Sequence, residues 1–593
     1  MARTRYASPD QGTRYRDMPG AALRAVLREG YSLRDLRSDA LAGLIVGVVA
    51  LPLAMALAIA VGAAPQQGLY TAIVAGTIIA ALGGSRVQVS GPTAAFVIIL
   101  APIHARFGLS GLLLSGVLAG LMLVAMGLLR MGRLIEFVPH PVTTGFTAAI
   151  ATVIAGLQIK DLLGLVPTRT PDHFFERLQA MWEARATASG WELLVGLVTL
   201  ALLLGLPRIT RRVPPPLVAL PAAALLALAL AALVPGASVA TIATRFHSQI
   251  GGRIVDGIPQ LPPWPLLPWN PLGEPGATLS LKMLHDLVPG AFAIAMLGAI
   301  ESLLSAVVAD GMGRTRHDPD AELLAQGIGN VVAPFFGGIP ATGAIARTAT
   351  NVRSGARSPL AAIVHSVTIL AAVLALAPAL GFLPMSGLAA LLLLVAWNMS
   401  EVKHFAHTLR VAPRSDVAVL LTCFGLTIAF DMVVGVAVGM VLATMLFMRR
   451  MAEVTHSHVL EGAHTHPAIA PVPPGVIVYV VSGPLFFGAA ERAMASLHHI
   501  ADRARAVVLR LDDVNAMDAT GLVALESALD RLTERRVIAV LSGLKAQPRA
   551  LLERAGVHRR PGVVLAEDLQ TAFAVAVTAG SEWSPPSAPA APP

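Results

Sequence analysis

The sequence predicts a polytopic α-helical membrane protein with a small α/β domain at its C-terminal end. Three observations carry this reading. Of 593 residues, 55% are hydrophobic and only 13% are charged, whereas soluble domains run near a quarter charged. The Ala-, Leu-, Val- and Gly-rich runs lie between Leu41 and Met448, and after Arg450 the composition returns to that of an ordinary soluble chain. A mean hydropathy of +0.69 excludes disorder for the bulk of the chain, and the single cysteine, Cys423, excludes a disulfide scaffold.

Residues 1–38 form an arginine-rich segment expected in the cytoplasm, with no cleavable signal. Residues 39–450 form the transmembrane domain. A spanning helix needs about 20 apolar residues, because unpaired backbone groups are too costly in hydrocarbon. Reading Gly and Pro breaks as helix ends gives 14 segments: 41–62, 68–83, 92–104, 111–129, 138–158, 191–206, 216–234, 286–309, 321–336, 341–352, 359–380, 383–397, 415–429 and 431–448. With the N-terminus in the cytoplasm, the loops after even-numbered segments are the basic ones. They carry Arg86; Arg130 and Arg133; Arg208, Arg211 and Arg212; Arg314 and Arg316; Arg353 and Arg357; Lys403, Arg410 and Arg414; and Arg449 and Arg450. The opposite loops, 159–190 and 235–285, are balanced or poor in charge. By the positive-inside rule this is a multi-pass protein of the cytoplasmic (inner) membrane with both termini in the cytoplasm. The formal net charge of +8 is then an orientation signal, and no nucleic-acid partner is expected.

Two segments are too short to span. Each places a Gly/Pro break before a small-residue helix, at Ser90-Gly91-Pro92-Thr93 and at Gly338-Ile339-Pro340-Ala341-Thr342-Gly343. Pro92 and Pro340 stand 248 positions apart, and Asp39 and Asp286 stand 247 apart. One offset shared by two landmarks implies two halves of seven segments, the second inverted. Paired broken helices at matching places in such halves mark a transporter site. A helix N-terminus leaves about four N–H groups unpaired and carries roughly half a positive charge, so two facing each other bind an anion.

Charge inside a span is costly and usually functional. Glu301 lies inside a span with Ser305 one turn on, and Arg347 falls about two turns into the second short helix as predicted. A cation there deepens the anion potential, and Glu301 is its expected partner or a proton carrier. Glu136, Asp310 and Asp431 sit at segment ends and are expected to be solvated.

Together these residues resemble the SulP family of anion transporters, the bacterial relatives of solute-carrier family twenty-six. The resemblance rests on Gly43-Leu44 through Leu51-Pro52-Leu53-Ala54, Gly68-Leu69-Tyr70, Ser90-Gly91-Pro92-Thr93, Phe137-Val138-Pro139 with Gly145-Phe146, Glu301-Ser302-Leu303-Leu304-Ser305, and Gly337 through Thr348. It implies a seven-plus-seven inverted repeat with core and gate subdomains, elevator motion and a homodimer. It also implies an anion held at Thr93, Ala94, Phe96, Gly343, Ala344 and Ile345, with Arg347 adding charge. Sodium-coupled bicarbonate members carry Asp, Thr and Thr where this chain has Glu301, Ser305 and Ile345. Some proton-coupled members carry an acid where Leu53 stands. The expectation is a secondary transporter of a small oxyanion, sulfate first by family frequency, coupled to protons through Glu301. The alternatives are sodium-coupled bicarbonate transport, C4-dicarboxylate transport and, from another class, a membrane-anchored sensor.

Residues 451–474 read as a proline-rich linker in which His456, His458, His464 and His466 are solvated rather than metal ligands. Residues 475–580 alternate strands and helices and resemble the STAS domain, with the loop signature Asp518-Ala519-Thr520-Gly521. That resemblance makes Thr520 a regulatory position, placed at a helix N-cap, and implies a cytosolic partner. Residues 581–593 read as a disordered tail. No Walker A loop, His-Glu-x-x-His or Cys-x-x-Cys occurs, so neither an enzyme nor a cofactor is expected.

Overall fold

The computed structural model describes residues 18–133, 138–169, 171, 173–210, 213–250, 253–271, 279–460, 472, 475–495, 497 and 504–581. The chain divides into two compact units, Met1–Met440 and Val441–Pro593.

The first unit is helical, and several of its helices start at a side-chain cap or a proline. A short helix, α1 (Ala21–Glu29), precedes α2 (Leu33–Val61). Helix α2 starts eight residues before the predicted segment, because Ser32 and Asp35 form a reciprocal capping box. It stops at Gly62, which adopts the left-handed conformation at φ 96°. Helix α3 (Pro65–Leu82) opens on a proline whose missing N–H no helical bond required. Strand β1 (Ser90–Gly91) and a 3₁₀ turn (Ala94–Phe96) lead into α4 (Val97–Leu128). Gly108, at φ 64°, breaks α4 into the two segments read from the sequence.

There follow α5 (His140–Leu162), α6 (Phe174–Glu183), α7 (Gly190–Ile209), α8 (Pro216–Leu233) and a single turn, α9 (Ile242–Arg245). A hairpin of β2 (His247–Ile250) and β3 (Arg253–Asp256) precedes α10 (Leu281–Gly313) and α11 (Pro319–Val332). Strand β4 (Thr342–Gly343) feeds α12 (Ile345–Arg353). Then come α13 (Leu360–Gly381), α14 (Met385–Ser400), α15 (Val402–Val411), α16 (Arg414–Ala429) and α17 (Met432–Val454). A helix lies at each predicted segment, and among the described residues nine helical stretches are long and apolar enough to cross a membrane.

Helix α4 packs on α10 and α11, α13 packs on α2 and α3, and α14 packs on α5. The α4–α11 approach depends on glycine. A Cβ on Gly120 would lie 2.6 Å from the Val331 nitrogen, and one on Gly327 would lie 2.5 Å from the Val124 nitrogen. Of the segment-end acids, Asp431 is exposed as expected, whereas Asp310 is half-buried. Asp310 accepts from Thr315 Oγ1 at 2.7 Å and from the His317 N–H at 2.8 Å, and Asp431 accepts from the Val434 N–H at 2.9 Å. Glu136 and Phe137 lie outside the described residues. On α1, the Arg86 guanidinium hydrogen-bonded to Glu29 holds that carboxyl below its usual range.

In the second unit a five-stranded sheet runs in the order β5 (His456–Leu460), β6 (Val476–Ser482), β7 (Ala506–Asp513), β8 (Ile538–Ser542), β9 (Val563–Ala566). Strand β5 is antiparallel to β6, and the remaining pairs are parallel. Among the described residues, helices α18 (Phe487–Ala495), α19 (Ala519–Glu534), α20 (Ala546–Arg554) and α21 (Leu569–Ser581) accompany the sheet. Tyr479, Val481, Leu509, Leu525 and Leu529 form the core on one face. Val478, Val480, Val508 and Phe573 form it on the other.

Here the predicted linker needs correction. Residues 451–454 end helix α17, and His456–Leu460 form strand β5, because Ser457 and Val459 point into the α18 side of the core while Leu460 packs on the α21 side. His464, His466 and residues 582–593 lie outside the described residues.

Candidate functional site

Strands β1 and β4 pair antiparallel, with Ser90 opposite Gly343 and Gly91 opposite Thr342. The Ala344 N–H extends the pairing by donating to the Val89 carbonyl at 2.9 Å. Each strand feeds a helix directly, so the crossing brings two helix N-termini to one place. Thr93 and Ala344, the residues at those starts, make no side-chain cap. Uncapped N–H groups remain available to an anion.

Both helix starts line one cavity of about 280 Å³. Of the predicted binding residues, Thr93, Ala94, Gly343, Ala344, Ile345 and Arg347 line it, and so does Glu301. Phe96 does not line it: its ring is buried behind the site and faces Gly298. Ser305 does not line it either, being fully buried with its hydroxyl donating to Thr348 Oγ1 at 3.1 Å. Leu53 and Leu57 on α2, Phe146 and Thr147 on α5, and Asn398 and Glu401 at the end of α14 also line it.

Arg347 sits in the first turn of α12, not two turns in, because that helix begins at Ile345 rather than at Ala341. Its side chain is 3% exposed, and one terminal nitrogen donates to the Pro92 carbonyl of the other broken helix. Nε and the second terminal nitrogen have no hydrogen-bond partner. Gly91 permits this placement, since a Cβ there would lie 2.7 Å from Arg347 Nη1. Glu301 forms no hydrogen-bonded ion pair with Arg347; instead it accepts from Thr93 Oγ1 at 3.0 Å. The two charges therefore face one cavity and remain unneutralised by direct contact.

A buried polar frame holds the crossing. Asn330 clamps the Ala341 backbone in both directions at 2.8 Å. Thr71 donates to the Ile339 carbonyl at 3.0 Å, and Thr348 accepts from the Val89 N–H at 3.0 Å. Glu322 on α11, 1% exposed, accepts from the Gly84 and Ser85 N–H groups, from Ser302 Oγ and from Gln326 Nε2. Gln326 in turn donates to Ser90 Oγ at 3.0 Å. Glu322 is a functional-site residue not among the expected ones, although its place in an apolar segment is a signal of the same kind as that of Glu301.

In the second unit Thr520 is exposed on the first turn of α19, but the N-cap is Asp518, whose carboxylate accepts from the Gly521 N–H at 2.7 Å.

Residues 36–423 match the sulfate permease family. The chain belongs to that family. It is a multi-pass membrane protein of an anion-transporter family, and residues 468–572 match the STAS domain. Among its relatives, the putative sulfate transporter YvdB of Bacillus subtilis is 39% identical over 90% of this chain and 96% of its own. The bicarbonate transporter BicA of a Picosynechococcus strain is 26% identical over 89% and 92%. Among solved structures, murine Slc26a9, an anion transporter in the inward-facing state, superposes with a TM-score of 0.80 at 19% identity, over 98% of this chain and 96% of that one. That likeness shows the fold. The transmembrane domain of a cyanobacterial BicA gives a TM-score of 0.57 at 26% identity, over 70% of this chain and 98% of its own.

Proposed function

We propose that this protein is a secondary active transporter that carries a small oxyanion, sulfate first, together with protons across the cytoplasmic membrane. The observation that carries the reading is the cavity where two uncapped helix N-termini meet a buried arginine with two unpartnered nitrogens. Such a site offers backbone N–H groups and one fixed cation to a dehydrated tetrahedral or planar anion. The YvdB relative, a putative sulfate transporter, favours sulfate as the cargo.

Coupling follows from the second charge. Glu301 and Glu401 line the same cavity as Arg347, so with both carboxyls ionised the cavity opposes an incoming anion. Two like charges about 4 Å apart repel by roughly 4 kcal/mol at an effective dielectric of 20. A proton on Glu301 removes its share of that cost, so anion and proton bind better together. Hard cations such as sodium are held by oxygen ligands; the Ile345 side chain offers none to the cavity, and Ser305 does not line it.

The transport reading includes two inverted halves of seven segments. The packing of α4 on α10 and α11, matched by that of α13 on α2 and α3, supports it, since these pairs exchange under the proposed repeat. It includes core and gate subdomains moving as an elevator, a homodimer, and both termini in the cytoplasm. The STAS domain acts as a regulatory module with a cytosolic partner, Thr520 being its exposed hydroxyl. Bicarbonate is the second reading, favoured by the BicA relatives.

Radiolabelled sulfate uptake into proteoliposomes tests the proposal. An inwardly directed proton gradient should drive accumulation at zero sodium. Accumulation that follows a sodium gradient and ignores the pH gradient would refute proton coupling.

A further inference from the structure

Strand β5 places two of the chain's histidines in a way the sequence alone did not. His456 and His458 are two positions apart on it, both exposed, with the less exposed Ser457 between them. Alternate strand residues share a face and stand about 6.8 Å apart along the strand. Ser457 is turned to the opposite side, where its hydroxyl donates to the Ala493 carbonyl at 3.2 Å and accepts from Tyr479. The two imidazoles therefore project together from an edge strand whose register is fixed by five pairs with β6.

A second observation concerns the ring nitrogens. His456 Nδ1 lies 2.9 Å from the Val454 carbonyl. A carbonyl oxygen only accepts, so Nδ1 carries the hydrogen, and in the neutral ring Nε2 presents its lone pair outward. Metal-ligating histidines characteristically spend their other N–H on a carbonyl or carboxylate in this way, which fixes the tautomer and the ring orientation. The backbone that supplies the carbonyl is the last residue of α17, so the pair sits where that helix gives way to the sheet.

We propose that His456 and His458 form a two-point site for a late first-row divalent metal ion such as Zn²⁺, at the start of strand β5. Two neutral imidazoles suit zinc, nickel or copper, and water fills the remaining positions. Hard cations such as magnesium, which prefer oxygen ligands, are not expected to bind. Binding would tie the start of β5 to the end of α17 through the Val454 contact, giving the soluble domain a metal-sensitive attachment.

Isothermal titration of the detergent-purified full chain with ZnCl₂ tests this, using magnesium chloride as the hard-ion control. Wild type and the His464→Ala/His466→Ala variant should each bind one zinc per chain with similar affinity, and neither should respond to magnesium. The His456→Ala/His458→Ala variant should bind at least about tenfold more weakly, the lower end of the effect of disturbing a ligand's support. His456→Gln/His458→Gln, with bulk retained and ligation lost, should weaken binding equally while melting at the wild-type temperature. No zinc binding by wild type, binding lost on removing His464 and His466, or equal weakening in both alanine variants would overturn the proposal.

Discussion

The two broken helices share a backbone plan and differ in what their side chains bring. The first, entered through Ser90-Gly91-Pro92, contributes the Thr93 hydroxyl and the Pro92 carbonyl and no charge. The second, entered through Thr342-Gly343, contributes Arg347 and, at Ile345, a bare hydrocarbon. Antiparallel pairing of β1 with β4 sets the two backbones against each other, and the side chains they carry differ. In the transport proposal the shared backbone plan supplies generic anion affinity. The difference in side chains assigns substrate charge to one helix and coupling, through Thr93 and Glu301, to the other.

Removing the charged side should have the largest effect. Arg347→Ala should weaken sulfate binding by about 10–100-fold, the range expected for losing one or two hydrogen bonds to a charged group. Arg347→Lys should restore only part, since an ammonium cannot reproduce the planar fork. Equilibrium binding of labelled sulfate measures both. Next in size is Glu301→Gln, which should keep binding but reduce proton-driven accumulation about tenfold, toward simple equilibration. Accumulation ratios in proteoliposomes check it.

Gly91→Ala leaves both charges in place and disturbs only their geometry. The new Cβ would meet Arg347 Nη1 at 2.7 Å, and the displaced guanidinium should cost several-fold in sulfate affinity, less than Arg347→Ala. Thr93→Val should be smallest: loss of its bond to Glu301 is worth about 1 kcal/mol, or roughly fivefold. The effect should appear in the pH dependence of uptake, with Thr93→Ser close to wild type.

Much of this was legible beforehand because it rests on local signals. Glycine and proline mark where helices break, so Pro92 and Pro340 betray the paired half-helices and Gly108 the kink in α4. A charge in an apolar run stands out, so Glu301 and Arg347 are visible. What escaped depends on contacts distant in sequence. Asn398 and Glu401 reach the cavity from α14, and no spacing links them to residue 93. The Phe96 ring turns inward because the space beside Gly298 receives it. The early start of α2 was readable from Ser32 and Asp35, but a search for apolar runs ignores polar helical turns. Strand β5 was hidden because His-Ser-His alternates without an apolar face, and its pairing with β6 supplies what its composition lacks.

The central claim is that the anion sits between the two helix starts beside Arg347, with its affinity raised by a proton on Glu301. Equilibrium binding of radiolabelled sulfate to the purified protein between pH 5 and 8, where histidines and tuned functional carboxyls titrate, is the decisive measurement. Wild type should bind more tightly as pH falls, Glu301→Gln should bind tightly at every pH, and Arg347→Ala should bind weakly throughout. Wild-type affinity that is flat with pH, or Arg347→Ala binding equal to wild type, would contradict it.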